Sequence, residues 1–182
     1  MHDGRARVRR RRGERRDPQF DVERHDHHTV GLMVWGAIAY GSRTPLDFIR
    51  GNMTALRYIH EVVEPHVLPY LETIENPIFQ QDNARPHVAR VTLDFMDQHD
   101  INRLPWPPRS PDLSPIEHVW DILGRRLLNL QQPPRTLAAL RHELEVGWNE
   151  IPQEDIDHLI RTMPRRINDC IRYRGSATHY RI

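Results

Sequence analysis

Residues 29–40, Thr-Val-Gly-Leu-Met-Val-Trp-Gly-Ala-Ile-Ala-Tyr, make the longest apolar stretch of the chain. Their β-preferring types predict a buried strand. Gly41-Ser42 comes next as a hairpin-turn signal, and a partner strand is expected over about 44–50. The stretch is too short to span a bilayer. The N-terminus is Arg-rich with no apolar run behind it, unlike a secretory signal. No membrane partner is therefore expected.

Beyond the hairpin the chain reads mostly as helix. Leu56, Ile59, Val62, Val63, Val67 and Leu71 recur at helical spacing over 54–74, where Pro65 and Pro69 are expected to kink or split the helix. A short strand, 77–81, leads into Asp82. A helix from about Pro86 to His99 should turn Val88, Val91, Phe95 and Met96 inward. Ile101–Leu104 reads as a short strand, and a proline-rich loop then delivers the chain to a helix over about 115–130. Thr136 is placed to cap a helix over 136–149, with Leu137, Leu140, Leu144 and Trp148 on one face. A last helix, 153–174, should break at Pro164, with Gly175 as its stop. Strands, then helices alternating with short strands, then a helical tail make an α/β layered domain. The expected divisions are an arginine-rich arm and loop (1–28), a catalytic core (29–132) and a helical tail (133–182).

Charge is informative through its placement. The 26 basic residues are all arginine. Eight fall within Arg5–Arg16, including Arg9, Arg10, Arg11 and Arg12, and six more lie between Arg161 and Arg181. Guanidinium groups grip phosphate in a bidentate fork, so two arginine-rich ends suit a DNA-contacting protein, although solvated surface explains them equally well. A formal net charge of +1 excludes a uniformly basic DNA-coating protein. One cysteine, Cys170, excludes an internal disulfide and fits a reducing compartment. His25-Asp-His-His28 hints at zinc but has no cysteine beside it and sits in a loop, so solvated surface is the better reading.

The residues that point to chemistry are Asp82 and Glu117. Asp82 stands at the C-terminal end of a strand, where open α/β sheets place their sites. Glu117 opens a helix further on, with 34 residues between the two. Carboxylates from two elements can converge on a divalent metal, which suggests phosphoryl transfer on nucleic acid. Each also has a plain structural explanation. Asp82 or Asn83 could cap the following helix. Ser114-Pro-Ile-Glu117 has the form of a capping box. Spacing alone does not choose between these.

The surrounding residues do choose. Val34-Trp-Gly-Ala-Ile, Gln80-Gln-Asp-Asn-Ala-Arg-Pro-His87, Trp106-Pro-Pro-Arg-Ser-Pro-Asp-Leu-Ser-Pro-Ile-Glu-His-Val-Trp120 and Met163-Pro-Arg-Arg166, with Gly175 and Thr178-His-Tyr180, resemble the Tc/mariner superfamily of DDE transposases. That resemblance implies a ribonuclease-H-like mixed sheet flanked by helices. It also implies three carboxylates on two divalent ions, Mg²⁺ or Mn²⁺, for DNA cleavage and strand transfer. Asp82 matches the second carboxylate and Glu117 the third. Arg85 and His87, just after Asp82, could contact DNA phosphate near the metals, and an exposed helix surface explains them equally well. The arm around Arg9–Arg12 would reach DNA or a partner subunit, which allows a homodimer, or act as a nuclear-import signal.

In the resembled family the first carboxylate lies on a central strand upstream of the arm, and this chain begins at the arm. Asp3 is a poor substitute, because no strand carries it into the sheet. Asp47 sits where the family has an apolar residue and is expected to be an edge or solvent-facing substitution. The expectation is therefore an N-terminally truncated catalytic region, lacking its central strand and inactive alone. The alternative is a non-catalytic nucleic-acid-binding module derived from a transposase.

Overall fold

The computed structural model describes residues 31–108 and 110–173. The arginine arm, the His25–His28 cluster, Asp3, Arg109 and the Thr178-His-Tyr180 tail lie outside the described residues.

The expected hairpin is present but bent into two halves. Strand β1 (Met33–Trp35) pairs antiparallel with β4 (Asp47–Ile49), and β2 (Ile38–Ala39) with β3 (Ser42–Arg43). Gly41 makes the turn at φ 77°, where a residue without Cβ is favoured. Between the halves the register slips by one residue, because Trp35 faces Asp47 whereas Ile38 faces Arg43. That is a bulge on the returning strand around Pro45-Leu46, a place where proline costs no ladder bond. Thr44 stitches the corner: its N–H donates to Ala37 O, and its Oγ1 accepts from Ala37 N, each at 2.9 Å.

Residues 55–72 stay helical throughout, so the helix expected to kink or split at its prolines is not split but changes its winding. Helix α1 (Ala55–Tyr58) runs into a π-helical stretch, Ile59–Val67, and on into α2 (Leu68–Glu72). Pro65 lies inside the π-helical stretch. A proline removes one N–H and crowds the preceding turn, and the wider π spacing absorbs both. Thr54 caps the start, its Oγ1 accepting from Arg57 N. The stretch buries Val62, Val63 and Val67 against Tyr58, Ile49, Met96 and Ile101. Each valine contributes about 1.5–3 kcal/mol by leaving water.

Helix α3 (Arg90–Gln98) starts four residues later than expected. It turns Thr92 and Met96 inward and leaves Val88 and Val91 about two-fifths exposed, which corrects the expected inner face. The strands expected at 77–81 and 101–104 reduce to one parallel bridge, Phe79 to Arg103. Among the described residues no strand joins this bridge to the β1–β4 pair.

A 3₁₀ turn, Pro111–Leu113, leads into α4 (Pro115–Leu128), followed by α5 (Leu137–Glu150), α6 (Gln153–Arg161) and α7 (Met163–Arg172). Thr136 caps α5 as expected, and the α6–α7 break falls at Thr162, two residues before Pro164. These helices close a second core of Val119, Leu123, Trp148, Ile151 and Ile156. Leu137, expected on that face, is exposed. The helices also clamp the hairpin. Trp148 Nε1 donates to Thr44 O at 2.9 Å, Arg43 donates to Ile151 O and Asn149 O, and Gly41 N donates to Asp157 Oδ1.

Candidate metal and nucleic-acid site

Phe79 and Arg103 lie side by side in parallel, so their chains leave the sheet in the same direction. One chain reaches Asp82 three residues on, and the other enters the proline-rich loop at Trp106. Asn83 Nδ2 donates to Trp106 O at 2.9 Å and ties the two exits together. The loop that carries Asp82 is thus fastened to the loop that leads to Glu117.

Asp82 does not cap a helix. Its Oδ1 accepts from Ala84 N at 2.9 Å, an Asx turn, and from His87 Nδ1 at 2.7 Å. An ionised carboxylate only accepts, so the proton of that bond sits on Nδ1. These bonds hold 84–87 as a turn and push the start of α3 back to Arg90. The Asp82 side chain remains 65% exposed, and its Oδ2 has no hydrogen-bond partner among the described residues.

Glu117 stands on the first turn of α4, half-buried, where the helix N-terminus favours negative charge. The expected capping box is absent: the buried Ser114 makes no side-chain cap bond. The Glu117 carboxylate has no hydrogen bond or ion pair among the described residues, so capping does not explain this glutamate. Its neighbour His118 is partly buried, with Nε2 shielded and unpartnered. Burial, helped by the nearby Arg166 charge, pushes the His118 pKa below its usual value. Arg166, itself buried, donates from Nη1 to Asp112 O at 3.4 Å, so α7 props the turn that introduces Glu117.

Asp47 has its own partners. Oδ2 pairs with His66 Nε2 at 3.2 Å, Oδ1 accepts from Phe48 N, and the His66 ring stacks on Trp35. Asp47 sits on a strand of a two-stranded sheet, partly exposed and engaged by His66, in keeping with the edge or solvent-facing substitution expected. Arg85 is exposed and has no ion pair among the described residues. His87 is largely buried and gives Nδ1 to Asp82. Sequence reasoning misses Tyr58, Gln81, His118 and Arg166. Only the apolar spacing of 54–74 hints that position 58 lies near a buried face.

Carboxylate oxygens such as Asp82 Oδ2 and those of Glu117, which have no hydrogen-bond partner among the described residues, suit a hard divalent cation such as Mg²⁺ or Mn²⁺. Among the described residues, no three His, Cys, Asp or Glu side chains gather closely enough to hold a metal ion together.

Over residues 2–141 the sequence matches the family model of the DDE superfamily endonucleases. The chain belongs to that family. It is 35% identical over 151 residues to the transposable element Tc3 transposase of Caenorhabditis elegans, an alignment covering 82% of this chain and 46% of that protein. The chain therefore spans about half the length of this relative. Its fold matches the Mos1 transposase catalytic domain solved with raltegravir and Mn, with a TM-score of 0.70 at 20% identity over 81% of this chain and 78% of that one. The Mos1 paired-end complex with the left transposon end matches with a TM-score of 0.73 at 19% identity, over 94% of this chain and 52% of that one. The fold is the mixed α/β, ribonuclease-H-like architecture that the resemblance implied.

Proposed function

We propose that this chain is the catalytic region of a DNA transposase, and that Asp82 and Glu117 hold divalent metal for cleavage and strand transfer at transposon ends. The observation that carries this is that Asp82 Oδ2 and the Glu117 carboxylate have no hydrogen-bond partner among the described residues. Neither performs the capping role its local sequence offers, and a family of endonucleases supplies the reason for acidic groups there. When bound, Mg²⁺ or Mn²⁺ supplies Lewis-acid activation of a water or a DNA 3′-hydroxyl and stabilises the leaving oxygen. The chain's own part is positional. Asp82 is fixed through Oδ1, Glu117 is set by the start of α4, and Arg85 and His87 stand beside Asp82 to meet phosphate.

The proposal includes the arm. Arg9–Arg12 are assigned to DNA or a partner protomer in a homodimer, and to nuclear import. The Mos1 neighbour that carries a transposon end supports DNA as the partner. A polypeptide of these 182 residues offers two of the three carboxylates that the resemblance implies, since Asp47 is engaged by His66. We therefore expect it to be inactive by itself. The test is a nicking assay with Mn²⁺ and a transposon-end duplex. The chain alone is expected to leave the duplex intact. The chain joined to the corresponding upstream segment of the Tc3 relative is expected to nick it, and to lose that activity on Asp82→Ala or Glu117→Ala. Nicking by the joined chain that survives both substitutions would defeat the metal assignment. Asp82-dependent nicking by the chain alone would defeat the assignment of inactivity.

A further inference from the structure

Asp82 is the end of a chain of hydrogen bonds that begins inside the first core. Tyr58 is buried, and its hydroxyl donates to Gln81 Oε1 at 2.7 Å. Gln81 Nε2 donates to the carbonyl of His87 at 3.3 Å and touches Met96 Sδ at 3.8 Å. The Tyr58 ring also lies against the His87 imidazole, with centroids 4.4 Å apart. His87 Nδ1 then donates to Asp82 Oδ1 at 2.7 Å. Thr92, fully buried in α3, anchors the far end of the same turn by donating to Pro86 O at 2.7 Å. An exposed carboxylate thus has a fixed orientation because a buried phenol fixes the groups behind it.

We infer that Tyr58 and Gln81 are positioning residues for Asp82, holding its Oδ1 saturated so that Oδ2 alone is offered to a metal ion. This rests on the metal assignment made above. A metal ligand gains affinity and correct aim from the groups that hold it, and removing such a group typically weakens metal binding about 10–100-fold. The Tyr58 hydroxyl has no other partner among the described residues, and burial with the nearby Asp82 charge raises its pKa, so it stays a donor throughout the working range. The ring packs His87 from one side while Gln81 ties its carbonyl. Loss of either contact frees the imidazole to turn away from Asp82.

The test uses the full chain and Mn²⁺ as probe, followed by paramagnetic broadening of the Ala84 amide, which donates to Asp82. Asp82→Ala is the first control. If broadening persists unchanged in that variant, the metal assignment falls and this inference with it. If Asp82→Ala abolishes it, Tyr58→Phe and Gln81→Leu should each raise the half-broadening Mn²⁺ concentration about tenfold. The double variant should add little. Each should also shift or broaden the His87 Nδ1 proton resonance. Tyr70→Phe, which removes a half-buried tyrosine's bond to Ser42 on the hairpin, should leave both readouts unchanged. Wild-type Mn²⁺ affinity in both Tyr58→Phe and Gln81→Leu would overturn the inference while leaving the metal assignment standing. Equal weakening by Tyr70→Phe would overturn it too, because the effect would then be general loosening of the fold.

Discussion

Trp148 is the residue on which the two halves of the bent hairpin are pinned, and replacing it should expose the pin. Its indole N–H satisfies the Thr44 carbonyl at the bulge, and its six-membered ring fills the place where Gly36 lacks a side chain. A Cβ at Gly36 would stand 3.0 Å from Trp148 Cη2 and 3.1 Å from Cζ2. Trp148→Phe removes the donor and shortens the ring. The Thr44 carbonyl, left buried without a partner, costs about 1–3 kcal/mol. Lost packing against Trp120, now 5.3 Å away centroid to centroid, adds about 1 kcal/mol. The total is about 2–4 kcal/mol. With a urea m-value of about 2 kcal/mol/M, the unfolding midpoint should fall by roughly 1–2 M. Gly36→Ala alone should cost about 1–3 kcal/mol by overpacking. In the Trp148→Phe background the clashing atoms are gone, so the alanine should cost under about 0.5 kcal/mol. The cycle should therefore show a coupling of about 0.5–3 kcal/mol. Urea unfolding of the four proteins measures it. Strict additivity, or a Trp148→Phe midpoint within error of the parent, would refute the pinning argument.

Three further outcomes rest on the contacts. Glu117→Gln should cost no more than about 0.3–1 kcal/mol, the interaction of its charge with the start of α4, because Glu117 has no hydrogen-bond partner among the described residues to lose; a larger loss in thermal melts would contradict this. Thr136→Ala should cost about 1 kcal/mol through the α5 cap, measurable in the same melts. Asp157 has a lowered pKa, first from the Gly41 N–H and then from Gln153, so the carboxylate's contribution is present above the unfolded aspartate value of about 4 and is lost as pH falls through the folded value. The stability gap between wild type and Asp157→Ala should accordingly be constant near neutral pH and close in acid. A gap that widens in acid would contradict that sign.

The hairpin is legible in the sequence because a long apolar run bounded by Gly41 has few other ways to fold. Its bulge is not, since the one-residue slip depends on an indole 104 residues away. Pro86 reads as a first helical residue. The structure spends 84–87 on a turn because Asp82 takes the Ala84 amide and the His87 ring, an alternative that polar side chains offer a backbone. Pro65 signals disruption correctly, but sequence spacing does not reveal that a π-helical stretch can absorb it. For the site, the family-like segments point to Asp82 and Glu117. The residues behind them are hidden because Tyr58, Gln81 and Arg166 act through distances in space. Ser114 and Glu117 show the reverse case, a local pattern with a complete structural meaning that the fold does not use.

Asp82 and Glu117 are proposed to serve one metal site. Mn²⁺ affinity measured by electron paramagnetic resonance on the parent chain, Asp82→Ala, Glu117→Ala and the double variant tests it directly. Each single substitution is expected to weaken binding tenfold or more, and the double variant to weaken it scarcely further, because the second carboxylate has nothing left to share. Independent, additive losses, or affinity unchanged by either substitution, would contradict a shared site.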